Sequence, residues 1–228
     1  DEAGITISVV PGRNIPRCQV PNEILSDFQN KYKDRIIALA GIDPSGIIHD
    51  PVAETEYAIT KLGLKGIYMD PGLSGGNQGM YPDDVRLYPI YEICSELNVP
   101  VVLMTGPYSG INSSYGHPTH LENVCRDFPN LKLVAGHGCY PYVIESISAM
   151  FRCPNLYISP DVYMFLPGGE HYVSALNGIF QDRILFGSAY PLRSFKEPIE
   201  KTMKLGIKDE VLDKYFYKNA QVVLGLNS

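Results

Sequence analysis

The chain has 228 residues, 45 % of them apolar, which is ordinary for a soluble domain with a large core. Lys and Arg total 19 against 25 acidic residues, a formal charge of -6, and no basic cluster offsets it, so nucleic acid is excluded as a main partner. No apolar run approaches the roughly 18–20 residues needed to cross a bilayer, so no membrane partner is expected.

Ile5 to Val10 is rich in β-branched residues and reads as a strand, ended by Pro11 and Gly12. Residues 12–21 are polar and broken, hence a loop. Asn22 caps a helix whose stripe is Ile24, Leu25 and Phe28. Arg35 to Pro44 is a second strand, apolar on consecutive positions as when both faces are covered, and Asp43 sits at its end. Asp50 and Pro51 open a helix that runs to Leu62. Lys65 to Pro71 is a third strand ending in Asp70. The glycine-rich stretch Gly72 to Tyr81 follows, long enough to form part of a lid, though plain linkage is the commoner reason for such a stretch.

Asp84 caps a helix that runs to Leu97. Val99 to Thr105 is a fourth strand, and the loop after it holds Tyr108, Tyr115 and His117. A helix beginning at Pro118 or Thr119 passes Leu121, Val124 and Cys125. The fifth strand, from Leu131, climbs to His137 and breaks in glycine; a helix with Val143, Ile147 and Met150 comes next. Asn155 to Asp161 is a sixth strand, Tyr172 to Phe180 a helix, and Ile184 to Ser188 a seventh strand. Helices follow over Glu197–Leu205 and Ile207–Asn219, and the apolar tail Ala220–Leu226 is expected to pack under the sheet.

Strand starts recur every 24 to 34 residues or so, one βα unit each. Seven units and no second kind of element indicate an α/β fold, a TIM (β/α)8 barrel formed by one domain over residues 1–228. Its first strand is then absent or upstream of Asp1, which is consistent with a chain that opens without methionine. A doubly wound sheet is disfavoured because Pro11 to Pro16 lacks the glycine fingerprint of that fold. The five cysteines have no CxxC spacing, and their odd number suits a reducing, cytoplasmic setting.

On a barrel, chemistry gathers where strands end. His137 stands there beside a glycine, free to act as general base or acid or as a metal ligand; the plain alternative is a hydrogen-bonded structural histidine. Asp43, Asp70 and Asp161 also end strands and are candidates to orient His137 or a water, although aspartate near proline is often a turn former. His117 and His171 lie in loops that can reach a substrate. Among 16 tyrosines, Tyr68, Tyr108, Tyr140 and Tyr190 sit at or beyond strand ends, where each offers a planar apolar face with one hydroxyl. Arg193 can pair with a substrate carboxylate or face solvent. Cys139 lies two residues past His137.

Several stretches together resemble the amidohydrolase-related family, the barrel group that holds decarboxylases of the aminocarboxymuconate-semialdehyde type and related hydrolases. They are Asp43-Pro44, Lys65-Gly66-Ile67, Phe128 to Gly138 with its His-Gly, Pro154 to Tyr157, and Arg183 to Pro191. The resemblance spans nearly the whole chain. It implies a metal centre built from a His-x-His pair on the first strand, a histidine after the Pro-Val strand, the His-Gly histidine and an aspartate before Tyr-Pro. Here the pair is not seen, the second histidine falls on Met104, the third is His137 and the aspartate falls on Ala189. A thioether is a weak ligand and a methyl group is none, so no family-type metal is expected. An altered zinc or manganese site joining His137 to upstream residues stays open.

The resulting expectation is a diverged hydrolase for a small carboxylated or cyclic compound, with His137 as general base or acid. A non-oxidative decarboxylase is the alternative, and a catalytically inactive barrel that binds or oligomerises is the other. A His137 paired with an aspartate beside a polar pocket would favour an enzyme; a rim plugged by apolar side chains would favour the binding role. The resemblance also implies a homo-oligomer of dimer type.

Overall fold

The computed structural model describes residues 2–16, 18–75 and 79–226. The centre of the glycine-rich lid candidate, residues 76–78, therefore lies outside the described residues. In chain order, β1 (Ser8–Pro11) leads into a hairpin of β2 (Asn14–Ile15) and β3 (Cys18–Gln19), then α1 (Asn22–Lys31) and β4 (Ile36–Gly41). Next come α2 (Pro51–Thr60), β5 (Ile67–Met69), α3 (Tyr88–Glu96), β6 (Val101–Met104) and α4 (Pro118–Asp127). The second half holds β7 (Leu133–Gly136), α5 (Val143–Arg152), β8 (Leu156–Ser159), α6 (Glu170–Leu176), α7 (Lys196–Thr202), α8 (Asp209–Asp213) and α9 (Asn219–Leu224).

Six strands pair in parallel in the order β1-β4-β5-β6-β7-β8. The register is regular: Val101 pairs with Ile67 on one side and Leu133 on the other, and Leu133 pairs with Leu156. Side chains alternate across such a sheet with period two. Val101, Leu103, Leu133, Ala135, Leu156 and Ile158 face the helices and belong to the main core. Val102, Val134 and Tyr157 point the other way, into the concave side, where Leu185 and the α9 residues Ala220 and Val223 close over them. The apolar C-terminal tail is a helix, and it packs Ala220 and Val223 on this side of the sheet. No helix among the described residues is long and apolar enough to cross a membrane.

Four expectations from sequence are corrected. The stretch 12–21 contains the β2–β3 hairpin, pinned by Val20 N–H donating to Arg13 O at 2.9 Å. The helix expected from Tyr172 begins two residues earlier and ends at Leu176. The helix expected to stop at Asn219 continues through a wide turn, Lys214–Lys218, into α9. The seventh strand shrinks to a single parallel bridge between Ile158 and Ile184. The reason is where its backbone groups go. Phe186 N–H donates to Tyr215 O (3.0 Å), and the buried Asn219 amide donates to both Gln181 O (2.9 Å) and Ile184 O (2.8 Å). The C-terminal helices thus satisfy this segment in place of a strand ladder. Among the described residues no pairing joins the β1 edge to this segment, so the ring of strands is incomplete there.

Asn219→Ala removes both buried donations. We expect a loss of about 1–3 kcal/mol in unfolding free energy, read from urea denaturation; an unchanged midpoint would mean that this amide does not hold the segment.

Candidate active site

Because the strands are parallel, the residues that follow them meet at one rim. The turn after β7 is left-handed at each step: His137, Gly138 and Cys139 have φ of 69°, 65° and 66°. For the two non-glycine residues this costs about 1–2 kcal/mol each, and neighbours offset it. Thr105 Oγ1 accepts from Cys139 N–H at 3.0 Å and donates to Gly136 O at 2.7 Å, while Tyr172 OH donates to Gly138 O at 2.9 Å. Gly106 gives the imidazole its space, since a Cβ there would come within 2.9 Å of His137 Cβ. The turn aims the ring across the strand ends towards β8.

There Nδ1 of His137 lies 2.7 Å from Oδ2 of Asp161. The contact is short, though Nδ1 makes no hydrogen bond of good angle. Asp161 also has a positive φ, 53°, and Ser159 Oγ donates to its Oδ1 at 2.8 Å. A Cβ at Gly187 would overlap that same oxygen, so glycine at this position admits the carboxylate. Burial works against a charged His137, and the short contact with Asp161 and its negative charge outweigh it, so the pKa lies above the ordinary histidine value. Tyr163 meets the ring edge-on at 5.5 Å and is itself stacked on Tyr140.

A second polar group faces this pair. Asp70, with a side chain only 1 % exposed, accepts from Arg13 Nε at 2.9 Å and Nη2 at 3.4 Å, and from Tyr68 OH at 3.2 Å. Burial first, then the negative charge of Asp70, pushes the Tyr68 phenol well above its ordinary pKa, so it stays a donor. Arg13 Nη2 also lies 3.6 Å from Met104 Sδ. Arg13, Ile15, Cys18, Leu73, Met104 and Tyr108 line a cleft of about 370 Å³. A hollow of similar size, about 380 Å³, lies between the C-terminal ends of α4 and α5, away from these groups.

The structure therefore brings together His137, Asp161, Asp70 and Tyr68, with Tyr108 and Tyr140 at the margin. It does not bring in the others. Asp43 is fully buried and spends its oxygens on its own loop, accepting from Ser45 Oγ, Ser45 N–H and Ile48 N–H. His117 caps α4 by accepting from Thr119 N–H through Nδ1. His171 sits exposed in the first turn of α6, 4.0 Å from Glu170. Arg193 pairs with Glu197 one helical turn on, at 3.7 Å, and Tyr190 stacks on Phe195. Cys139 is buried, which pushes its thiol up to about 12 and keeps it protonated. Arg13 and Ser159 were not singled out from sequence. The only signal for Arg13 is its place three residues past Val10, where the sequence ends the first strand.

Parallel strands alternating with helices, with polar groups gathered at the strand ends, define a TIM-barrel protein. The family model described as amidohydrolase matches residues 15–226, and the chain belongs to that family. Among solved structures, an uncharacterized TIM-barrel protein of Bordetella bronchiseptica, Bb4693, is 35 % identical with a TM-score of 0.89, covering 98 % of this chain and 79 % of its own. A 2,6-dihydroxybenzoate decarboxylase from Rhizobium is 18 % identical with a TM-score of 0.74, covering 100 % and 86 %. A dihydroxybenzoic acid decarboxylase from Polaromonas sp. JS666, with bound manganese, is 19 % identical with a TM-score of 0.73, covering 100 % and 84 %. No curated protein matches the chain. At such low identity the two decarboxylases share the fold and carry no more than that.

The residues described here do not fit a divalent ion of that kind. Among them no three His, Cys, Asp or Glu side chains are grouped to hold one. Met104 and Ala189 stand where the family resemblance places a histidine and an aspartate, and the guanidinium of Arg13 lies against Met104.

Gly187→Ala should push Asp161 off the imidazole, and the His137 pKa, read by NMR titration, should fall; an unmoved pKa would show the contact to be incidental. A raised folded-state pKa contributes stability that is fully present below the unfolded value of 6.5 and is lost as pH rises through the folded value. The stability gap between wild type and Asp161→Asn should therefore narrow as pH rises above about 6.5, and a gap that does not narrow would show that no charged pair exists.

Proposed function

We propose that this amidohydrolase-family protein is an acid–base enzyme for a small carboxylic acid, with His137 as the proton carrier and Asp161 as its orienting partner. The observation that carries the reading is the 2.7 Å approach of Asp161 to Nδ1 in a strained turn at the strand ends. It fixes the ring and leaves Nε2 as the nitrogen that meets a substrate. Strained backbone held in place by buried hydrogen bonds is a common feature of working sites.

Non-oxidative decarboxylation suits this pair best. The carbon–carbon bond to the carboxylate breaks, carbon dioxide leaves, and the electron pair left on carbon takes a proton. A histidine with raised pKa carries that proton near neutrality, so Nε2–H of His137 is the donor and Asp161 steadies the charge before transfer. The decarboxylases of hydroxylated aromatic acids among the fold relatives make the same substrate class a sensible first screen. Hydrolysis of a cyclic ester or amide is the second reading. It needs the neutral imidazole as base, and the raised His137 pKa moves that form to higher pH. In either reading the chemistry rests on side chains, without a resident metal.

Full-length protein should release carbon dioxide from hydroxylated benzoic acids and place one deuterium on the product carbon in D2O. His137→Asn should lower kcat by about 10²–10⁴, and chelators should leave the rate unchanged. Stoichiometric bound zinc or manganese with chelator-sensitive activity would sink the metal-free part. Turnover of lactones alone would turn the assignment to hydrolysis.

A further inference from the structure

We infer that Arg13 is the anchor for the substrate's carboxylate, and that the cleft beside it selects a single-ring, singly charged acid. This rests on the reading of the site as one for a carboxylic acid and adds where and how that acid is held.

Arg13 is firmly placed. Gly12 and Gly41 let the end of β1 nest against the end of β4: no Cβ fits at Gly12, and one at Gly41 would come within 2.7 Å of Arg13 N. Asn22 locks the same spot, accepting from Gly41 N–H at 2.9 Å and donating to Gly41 O at 3.2 Å. On the other side Val20 N–H donates to Arg13 O at 2.9 Å across the hairpin. The backbone of Arg13 is thus held from both sides before its side chain is considered.

The side chain is then divided between structure and cleft. Asp70 takes Nε and Nη2, and Met104 Sδ lies on Nη2 as well, which leaves Nη1 as the nitrogen without a partner among the described residues. The side chain is 40 % exposed while its carboxylate partner is buried, so the free end of the fork faces the opening. A guanidinium fixed by one carboxylate is pre-organised to donate to a second. The Arg13–Asp70 pair is close to neutral overall, so its pull comes from directed hydrogen bonds more than from net charge. That favours a carboxylate over a doubly charged phosphate.

The walls set the rest of the ligand. Ile15, Leu73 and Met104 give apolar surface, and Tyr108, which is 75 % exposed, gives a ring edge at the mouth. A volume of about 370 Å³ is at the small end for organic ligands and suits one ring with short substituents. Arg193, the residue that sequence suggested for this task, is engaged with Glu197 on an exposed helix instead.

The test uses benzoate as probe and its neutral amide, benzamide, as control, and needs no turnover. On full-length wild type, benzoate titration should shift the Arg13 side-chain resonances in 15N NMR. Calorimetry should give benzoate at least about tenfold tighter binding than benzamide. Arg13→Lys keeps a cation for Asp70 but loses the outward nitrogen; it should fold as wild type and bind benzoate about tenfold more weakly, with benzamide unchanged. Unmoved Arg13 resonances, wild-type affinity in Arg13→Lys, or no benzoate binding at roughly millimolar concentration would each overturn the anchor, whether or not decarboxylation is found. Benzoate held at Arg13 with no carboxylic acid turned over would keep the anchor and remove the enzymatic reading.

Discussion

The parallel register of the six strands is the constraint on which the remaining structure depends. Pairing in step, with Val101 level with both Ile67 and Leu133, makes the strands end together. It sends alternate side chains to opposite faces, so Leu103 and Ala135 seal against helices while Val102 and Val134 fill the concave side. A slip of one residue would exchange those two sets and scatter the polar residues that follow each strand. The rim is a consequence of that register.

At the rim, apolar burial no longer dictates conformation, and the chain spends stability on geometry. The left-handed turn at His137–Cys139 and the positive φ of Asp161 are unfavourable alone. They persist because Thr105, Tyr172 and Ser159 bind them and because Gly106 and Gly187 leave room for the side chains they aim. The result is an imidazole and a carboxylate held at ion-pair distance, and across from them an arginine and a carboxylate held likewise. Each acid has a basic partner, so two buried or half-buried carboxylates coexist at modest electrostatic cost. At the strand ends of this member of the amidohydrolase family a guanidinium lies beside Met104.

The two pairs also divide the labour that the proposed chemistry requires. An enzyme gains rate by holding its reactant where the proton carrier already points. The Arg13 fork is suited to holding and the His137 ring to proton transfer. Both are carried on the ends of strands and on turns pinned by backbone hydrogen bonds, not on long loops.

The class of fold and the ends of the central strands are legible in the residue pattern alone. Runs such as Ile36–Gly41 and Leu133–Gly136 are apolar on successive positions because both faces are covered, and that pattern survives without any coordinates. The His-Gly at 137 was legible for the same reason: a polar residue and a glycine abruptly end such a run. Which aspartate serves His137 was decided only by the tertiary structure. Asp43, Asp70 and Asp161 look alike in sequence, yet one is absorbed by its own loop, one by Arg13 and one by the imidazole. Arg13 was hidden because a basic residue after Pro-Gly has no local signature. Its meaning comes from a carboxylate 57 positions away. The seventh strand was lost for a related reason. Its local pattern is that of a strand, but Asn219 and Tyr215, distant in sequence, take its backbone groups first. Local pattern sets where a strand can form and what stands at its end; competition among distant partners for the same hydrogen bonds sets what each end does.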